Sequence, residues 1–457
     1  MTAPPTYTER AESLGVPLLP DTSHETIQRY VMDRLEAESG GIVFAEGQWW
    51  QVNRIGAWVA LPEQAIWAEV QRLNGLETLE GAHEDRPGKP IRVTSGVCES
   101  VVSLARARFF ADGFFEEPAA GFISPAGLWT CTPVDGWQTR PATPQDRVRL
   151  FSPVDPDMSA EPPMWLGVLA RMWGHEEDYA ARVAFIHEWL GAVLLGTATK
   201  HQVAPILVGD GENGKSVIID VIARTIPRAL RCSVTPAQLE DSAYASSALV
   251  GKALNSVAEI PGGDLLTSAK IKAIIDGSEQ GAERKYQDAF VFRPRAGHVF
   301  SANSLPRVHD LSHGFWRRWV ILTCTAPKIT KAERRPGYAD DVIASELAAI
   351  LGYAMRYTEA MVLERRGYTE VPSSVAAIQS WRADSDSVQQ WLDDACDRGG
   401  ATAVRVLYAA YKSYAESSGV KVVSLRTFGQ RLTALGVEAE RDNSARTRAV
   451  TLKVTHG

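Results

Sequence analysis

The run Gly209-Asp210-Gly211-Glu212-Asn213-Gly214-Lys215-Ser216 has the residue types and spacing of a phosphate cradle. Its glycines let the backbone curl until successive N–H groups face one point, at the positive end of the helix that follows. Lys215 is spaced to reach β- and γ-phosphate oxygens, and the Ser216 hydroxyl to ligate Mg²⁺. The chemistry implied is binding of a nucleoside triphosphate. Cleaving it takes more groups, and three later stretches offer them. Glu259 closes the run ALNSVAEI, where it can orient an attacking water or hold the metal. Asn303 closes HVFSAN, and either polarises the γ-phosphate or the water, or is only a turn residue before Ser304-Leu305-Pro306. Arg317 and Arg318 lie between aromatics in GFWRRW. One of them can act as an arginine finger on a neighbouring subunit's nucleotide; otherwise the pair forms salt bridges with Asp310 or Glu259.

These groups need a scaffold that brings them to one edge. Ala204 to Val208 reads as a buried strand before the cradle, and Ser216 to Thr225 as the helix after it. Strand-like runs at Ala253 to Ile260 and His298 to Ala302, with a helix from about Thr267 to Ile275 between them, predict a parallel α/β sheet. Helical periodicity covers Tyr179 to Thr197, and two or three helices fill 339–395, with Pro372 as a breaker. Upstream, GGIVFA, GQWWQVN and AWVALP read as short strands before an amphipathic helix from Glu63 to about Leu73. Trp49, Trp50, Trp58 and Trp67 are expected to fill a small core; beside Arg54 they could instead stack on single-stranded bases. The Pro-rich passage from Pro141 to Pro163 reads as a connector, and Asp155-Pro-Asp157 within it as a solvated turn rather than a metal-binding pair.

The tail is predicted to run helix (Ala403 to Ser417), helix (Ser424 to Leu435), then two strands (Val437 to Arg441, Arg448 to Val454), the shape of a winged helix-turn-helix. Ser424 would cap a recognition helix carrying Arg426, Thr427, Gln430 and Arg431 on or near one face. Arg441, Arg446 and Arg448 would flank the wing turn and meet phosphates. From Thr402 to Gly457 there are nine Lys/Arg against four Asp/Glu, on a chain whose net charge is −7. That asymmetry suits DNA, although such a domain can also pack on its own protein or bind another.

With 457 residues the chain is expected to hold about three domains: an α/β or helical accessory domain over 1–155, a motor with flanking helices over 156–385, and the winged helix over 386–457. At 45% hydrophobic and 23% charged, the composition excludes disordered and fibrous classes. The apolar runs are too short to cross a bilayer, and the first twenty residues lack a signal-peptide pattern. Five scattered cysteines with no CxxC pair argue for a reducing cytoplasm. His298, His309 and His313 read as hydrogen-bonding residues rather than metal ligands.

Taken in order, GDGENGKS, NSVAEI, IKAIIDGSEQGAERKYQDAFVFRP, FSANSLP and GFWRRW resemble the superfamily 3 helicase core over about Pro205 to Cys324. The branch they most resemble is the phage and plasmid primase-helicase C-terminal family, which is similar to the poxvirus nucleoside triphosphatase-primase. More weakly, the stretch up to about Leu195 resembles the helical domain that precedes the helicase there, and the tail its winged helix. The resemblance implies an AAA+-like α/β P-loop motor with a mainly helical N-terminal region and a C-terminal winged helix-turn-helix. It implies a homo-oligomeric ring, usually a hexamer, that uses ATP and Mg²⁺ to move on single-stranded DNA, with no membrane partner. By position, Lys215 and Ser216 are Walker A residues, Glu259 is Walker B, Asn303 is sensor 1, and Arg318 is the preferred finger with Arg317 second. ERKYQD corresponds to the hairpin that grips DNA inside the ring, where Arg284 and Lys285 would meet phosphates and Tyr286 would stack. Without the family, Lys285 and Tyr286 read equally well as a solvated charge and a half-buried ring.

Two departures stand out. Ala258 precedes Glu259 where many viral members carry a second acid, so metal binding falls to Ser216 and Glu259, with Asp264 close enough in sequence to assist. Asp276-Gly277-Ser278-Glu279 replaces paired glycines with aspartate. Upstream there is neither zinc-ligand spacing nor an acidic cluster of the kind primer synthesis needs. Two other function classes are compatible with the cradle: a DNA-binding initiator or switch ATPase that does not unwind, and a small-molecule P-loop kinase, which has no use for ERKYQD or a basic tail.

Overall fold

Five parallel strands form the sheet on which the cradle is built, in a computed structural model that describes residues 18–83, 88–260, 265–266, 269–284, 289–308, 312–420, 422–442 and 445–452. The strands are β7 (Ala204–Val208), β8 (Arg231–Cys232), β9 (Leu254–Val257), β12 (Gly297–Ala302) and β13 (Trp319–Thr323), in the spatial order β13-β7-β12-β9-β8. In β12 all six residues are buried, and in β7 four of five are. Continuous burial of this kind belongs to a parallel strand covered on both faces. The order inserts β12 between β7 and β9, so the ends of three strands meet at one edge.

Helices cover the sheet. α4 (Pro163–Trp173), α5 (Tyr179–Leu194), α6 (Lys215–Thr225) and the long α8 (Tyr338–Leu363) bury Trp165, Leu169, Trp189, Ile218, Ile222 and Met355 in one core with Leu207, Val299 and Leu322. On the other side lie α7 (Ala269–Ile275), the antiparallel ladder of β10 (Gln280–Ala282) with β11 (Phe290–Phe292), and α9 (Pro372–Ser385).

The N-terminal region is mixed rather than mainly helical. α1 (His24–Ser39), α2 (Glu63–Gln71) and α3 (Ser95–Phe109) pack on the sheet of β1 (Ile42–Ala45), β2 (Gln48–Val52) and β3 (Trp58–Leu61). A second meander follows: β4 (Phe122–Ser124), β5 (Gly127–Thr132) and β6 (Gly136–Arg140). Helix α1 begins where the Ser23 hydroxyl accepts from Thr26 N–H and stops at Gly40. Three of the four tryptophans are core: Trp49, Trp50 and Trp58 are buried, so none of these presents a face to a base, whereas Trp67 is half-buried at the edge of the α1–α3 cluster. The sheet is not a separate body either. Val43, Trp50, Trp58 and Phe115 share one cluster with Ala282, Phe292, Phe300 and Trp319.

The Pro-rich connector gives way to α4 at Pro163, which starts the helix at a position where the missing N–H costs nothing. Asp155 and Asp157 are turn acceptors: Asp155 takes Ser124 Oγ (2.6 Å) and Ala126 N (2.8 Å), and Asp157 takes Ser159 N (2.9 Å). In the tail, α10 (Ser387–Ala395), β14 (Cys396–Ala403), α11 (Val404–Ser417), α12 (Leu425–Ala434), β15 (Ala439–Asp442) and β16 (Ala445–Leu452) surround Trp391, Tyr411 and Phe428. Strand β14, which the sequence reading lacks, pairs with β16, and β16 with β15. Among the described residues no helix is long and apolar enough to cross a membrane, and no group of three His, Cys, Asp or Glu could hold a metal ion.

Candidate active site

The cradle follows β7 directly, and its shape is forced. A Cβ at Gly209 would sit 2.2 Å from the Cys324 carbonyl oxygen, so only glycine lets the loop pass the end of β13. Gly214, at φ +102°, turns the chain into α6 without a side-chain cap. The Asn213 amide donates to Cys324 O (2.9 Å), and its carbonyl oxygen accepts from Lys215 N (3.3 Å), which ties the loop to β13.

Lys215 is buried at 5% exposure. Its Nζ donates to Gly209 O, to Asp210 O (2.7 Å) and to Asn303 Oδ1 (3.4 Å). Burial holds its ammonium below the ordinary lysine range, opposed by Cys324, Asp210 and Glu259. Asn303, just past β12, donates Nδ2 to Glu259 Oε1 (2.8 Å), just past β9. Asn303 therefore spans from the cradle lysine to the carboxylate, as the inserted strand requires. Ser216 is exposed in the first turn of α6, and with Glu259, Ser301 and Asn303 it lines a cleft of ≈ 380 Å³ over the loop. A serine hydroxyl and a carboxylate on one cleft are hard oxygen donors that fit Mg²⁺.

The cradle has a second wall that the sequence reading missed. Arg334 pairs with Glu212, Ile329 N donates to Glu212 O (2.7 Å), and Ile329 and Arg334 line the cleft. Arg171 of α4 reaches Asn213 O (3.3 Å) and Pro327 O (3.4 Å). Nothing in the spacing of 324–338 marks it as part of the site; only the reversal after β13 brings it there.

Four basic residues sit otherwise than expected. Arg318 is buried, with its side chain 8% exposed, and its guanidinium grips Asp276 through Nε–Oδ1 (2.7 Å) and Nη2–Oδ2, with Nη1 on Gly314 O. It is not a projecting finger here, and among the described residues the acid it grips is Asp276 rather than Glu259. Arg317, the second choice, is exposed and has no partner among the described residues. Arg284 turns inward: it donates to Gly47 O, Glu46 O (3.3 Å) and Gln48 Oε1 (3.1 Å) and lies over the Phe290 ring. Instead of offering its charge to phosphates, it ties the β10–β11 ladder to the β1–β2 turn.

In the tail, Arg431 pairs with the buried Asp386, which leaves it no free charge. Arg448 is likewise spent on Gly429 O (2.8 Å), Thr433 Oγ1 (2.9 Å) and Val437 O (3.1 Å). Arg426, Thr427 and Gln430 remain exposed on α12. Lys285, Tyr286, Asp264, His309, Asp310 and the side chains of Arg441 and Arg446 lie outside the described residues. His298 is buried, with Nδ1 3.2 Å from Asn255 Nδ2, as a hydrogen-bonding residue should be.

Two family models match the chain. Residues 383–456 match the poxvirus D5 protein-like model, and residues 207–318 match a family of unknown function, DUF5906. The resemblance to poxvirus nucleoside triphosphatase-primases is thus found in the tail. No curated protein matches in sequence. Among solved structures, the apo C-terminal region of NrS-1 is 11% identical over 93% of this chain and 99% of that one, at a TM-score of 0.46. The active helicase Cch of SCCmec type IV is 12% identical over 85% and 70%, at 0.28. A JCV helicase is 12% identical over 51% and 66%, at 0.26. Neither model spans half of the chain, and among the described residues the sheet, its covering helices and the loop after β7 form an α/β domain.

Proposed function

We propose that the protein is an ATP-dependent DNA helicase or translocase of superfamily 3 type, an AAA+-like motor that works as a ring, most simply a hexamer, in the replication of a phage, plasmid or mobile element. One observation carries this reading: Asn303 bonds both Lys215 and Glu259 from the strand between theirs. A kinase needs a cradle and a metal, whereas this arrangement adds a carboxylate held beside the γ-phosphate position by an amide.

Each side chain then has a task. Lys215 neutralises charge that grows on the β- and γ-oxygens as the terminal phosphoryl departs. Glu259, oriented by Asn303 Nδ2, accepts a hydrogen bond from the attacking water and aims its lone pair at phosphorus. Ser216 and Glu259 would hold Mg²⁺, which supplies further neutralisation of phosphate charge. Arg317, exposed on a turn braced by Phe315 and Trp316 against Trp381, would reach the nucleotide of the adjacent protomer. The tail would be a winged helix that approaches duplex DNA with Arg426, Thr427 and Gln430. Lys285 and Tyr286 would engage the single strand.

A forked-duplex displacement assay tests the proposal. Strand release that requires ATP and Mg²⁺ is expected. ATP hydrolysis without displacement would make the protein a switch ATPase or initiator instead.

A further inference from the structure

The edge of the sheet opposite the cradle carries a second concentration of positive charge. The cradle follows the carboxyl end of β7, whereas Ala253 and Arg295 lie just before β9 and β12, at the amino ends of parallel strands. There a cavity of ≈ 50 Å³ opens in the seam between the N-terminal region and the motor. One side is made by Pro118, Gly121 and 147–150, the other by Gly196, Lys252 and Arg295. One water needs roughly 10–15 Å³, so the space suits a group of about four or five heavy atoms. Arg147, Arg149, Lys252 and Arg295 line it, and among the described residues no carboxylate does.

Of the four, only Arg149 has an ion pair among the described residues, with Glu46. Its guanidinium lies over the Trp50 and Phe115 rings, 5.0 and 4.3 Å from their centroids, and that of Arg147 over Phe114. Lys252 Nζ donates to Ala229 O (2.7 Å), and Arg295 Nη2 to Phe115 O (3.5 Å) and Glu116 O. Those carbonyls accept hydrogen bonds but bring no countercharge. Arg295 Nε is covered and has no acceptor among the described residues. Burial, with Arg149 and Arg293 nearby, holds the Arg295 guanidinium below the ordinary arginine range, against the pull of Glu46. Charge held inside a protein without a partner is costly. The seam is short of an anion.

We propose that this seam binds one phosphate group, separate from those in the cradle. A tetrahedral oxyanion presents oxygens to several cationic donors at once, and arginine forks match it. Stacking on the rings fixes Arg147 and Arg149 beforehand, so little side-chain freedom is lost on binding. The bound group would tie 147–150 to the approaches to β9 and β12, fastening the N-terminal region to the motor. Free phosphate and the backbone of single-stranded DNA offer the same chemistry.

Because the cradle would also take phosphate, calorimetric titration with inorganic phosphate is best done on Lys215→Ala protein at constant ionic strength. About one phosphate per chain is expected to bind, and Arg295→Gln in that background should weaken it at least about tenfold. Lys252→Met, which keeps most of the stem and removes the charge, should weaken it similarly, and it decides the matter if the Arg295 variant does not fold. No saturable binding to Lys215→Ala protein would overturn the proposal. So would undiminished affinity in the folded Arg295→Gln protein, or in Lys252→Met where the former does not fold. Once binding is found, its displacement by oligothymidylate without terminal phosphates assigns the site to the DNA backbone, and its persistence assigns it to the free ion.

Discussion

Asp276 and Arg318 form a buried, two-pronged ion pair that joins the end of α7 to the turn before β13. The Arg318 carbonyl also accepts from Ala204 N (2.8 Å), the first residue of the strand that carries the cradle. Asp276→Asn leaves a guanidinium inside the protein without its counter-charge, which typically costs ~3 kcal/mol. Denaturant unfolding should report a loss of that order. A change below about 0.5 kcal/mol would mean that water or a neighbouring acid already compensates Arg318.

The neighbouring arginine should behave in the opposite way. Arg317→Ala removes an exposed side chain, so stability should stay within about 0.5 kcal/mol. Turnover should fall by about 10³-fold or more if the guanidinium meets transition-state charge. Mixing Arg317→Ala with Glu259→Gln protein should restore part of the activity, because one interface then has both groups intact. Activity that shows no dependence on mixing would confine the site to a single protomer.

Two buried histidines predict a pH response. His187 has both ring nitrogens engaged, Nδ1 with Val183 O (2.6 Å) and Nε2 with the Trp165 indole N–H (2.9 Å), an arrangement only the neutral ring satisfies. Burial pushes His187 and His298 down to about 4 from the usual 6.5. Between these values the unfolded chain binds protons that the native state refuses, so stability falls with pH below 6.5. At pH 5 each histidine should cost on the order of 2 kcal/mol. Thermal melts from pH 7 to 5 should show the decline, and replacing His298 with Phe should flatten it. An equal slope in that variant would assign the effect elsewhere.

In the tail, Arg431→Ala exposes the buried Asp386 carboxylate to an unpaired state and should destabilise the domain by ~3 kcal/mol. Arg426→Ala should leave its melting unchanged and reduce the salt dependence of DNA binding by about one phosphate contact. If the two variants weaken DNA binding alike and neither unfolds, Arg431 has left its pair to meet DNA.

The parts of this molecule that follow local rules were legible in the chain. The strand, cradle and helix from Ala204 to Thr225 lie within a residue of where the apolar run and glycines put them. The tail helices were also found, because Ser424 caps α12 and the periodicity is plain. Pairings between distant segments were not legible. Nothing local distinguishes Arg317 from Arg318; only the fold sets Asp276 beside the second. Arg284, Arg431 and Arg448 looked like phosphate ligands because a basic residue in a polar stretch reads as exposed, yet each has a carbonyl or carboxylate waiting from a remote element. α4 was hidden by the prolines before it, and the strap at 327–338 has no periodicity to betray a wall of the site.

Steady-state phosphate release from ATP, wild type against Lys215→Ala, with and without single-stranded DNA, tests the central claim most directly. The bonds from Lys215 through Asn303 to Glu259 predict Mg²⁺-dependent turnover by the wild type and none above background in the variant. Turnover that persists in Lys215→Ala at the wild-type rate would contradict it and place the chemistry elsewhere in the chain.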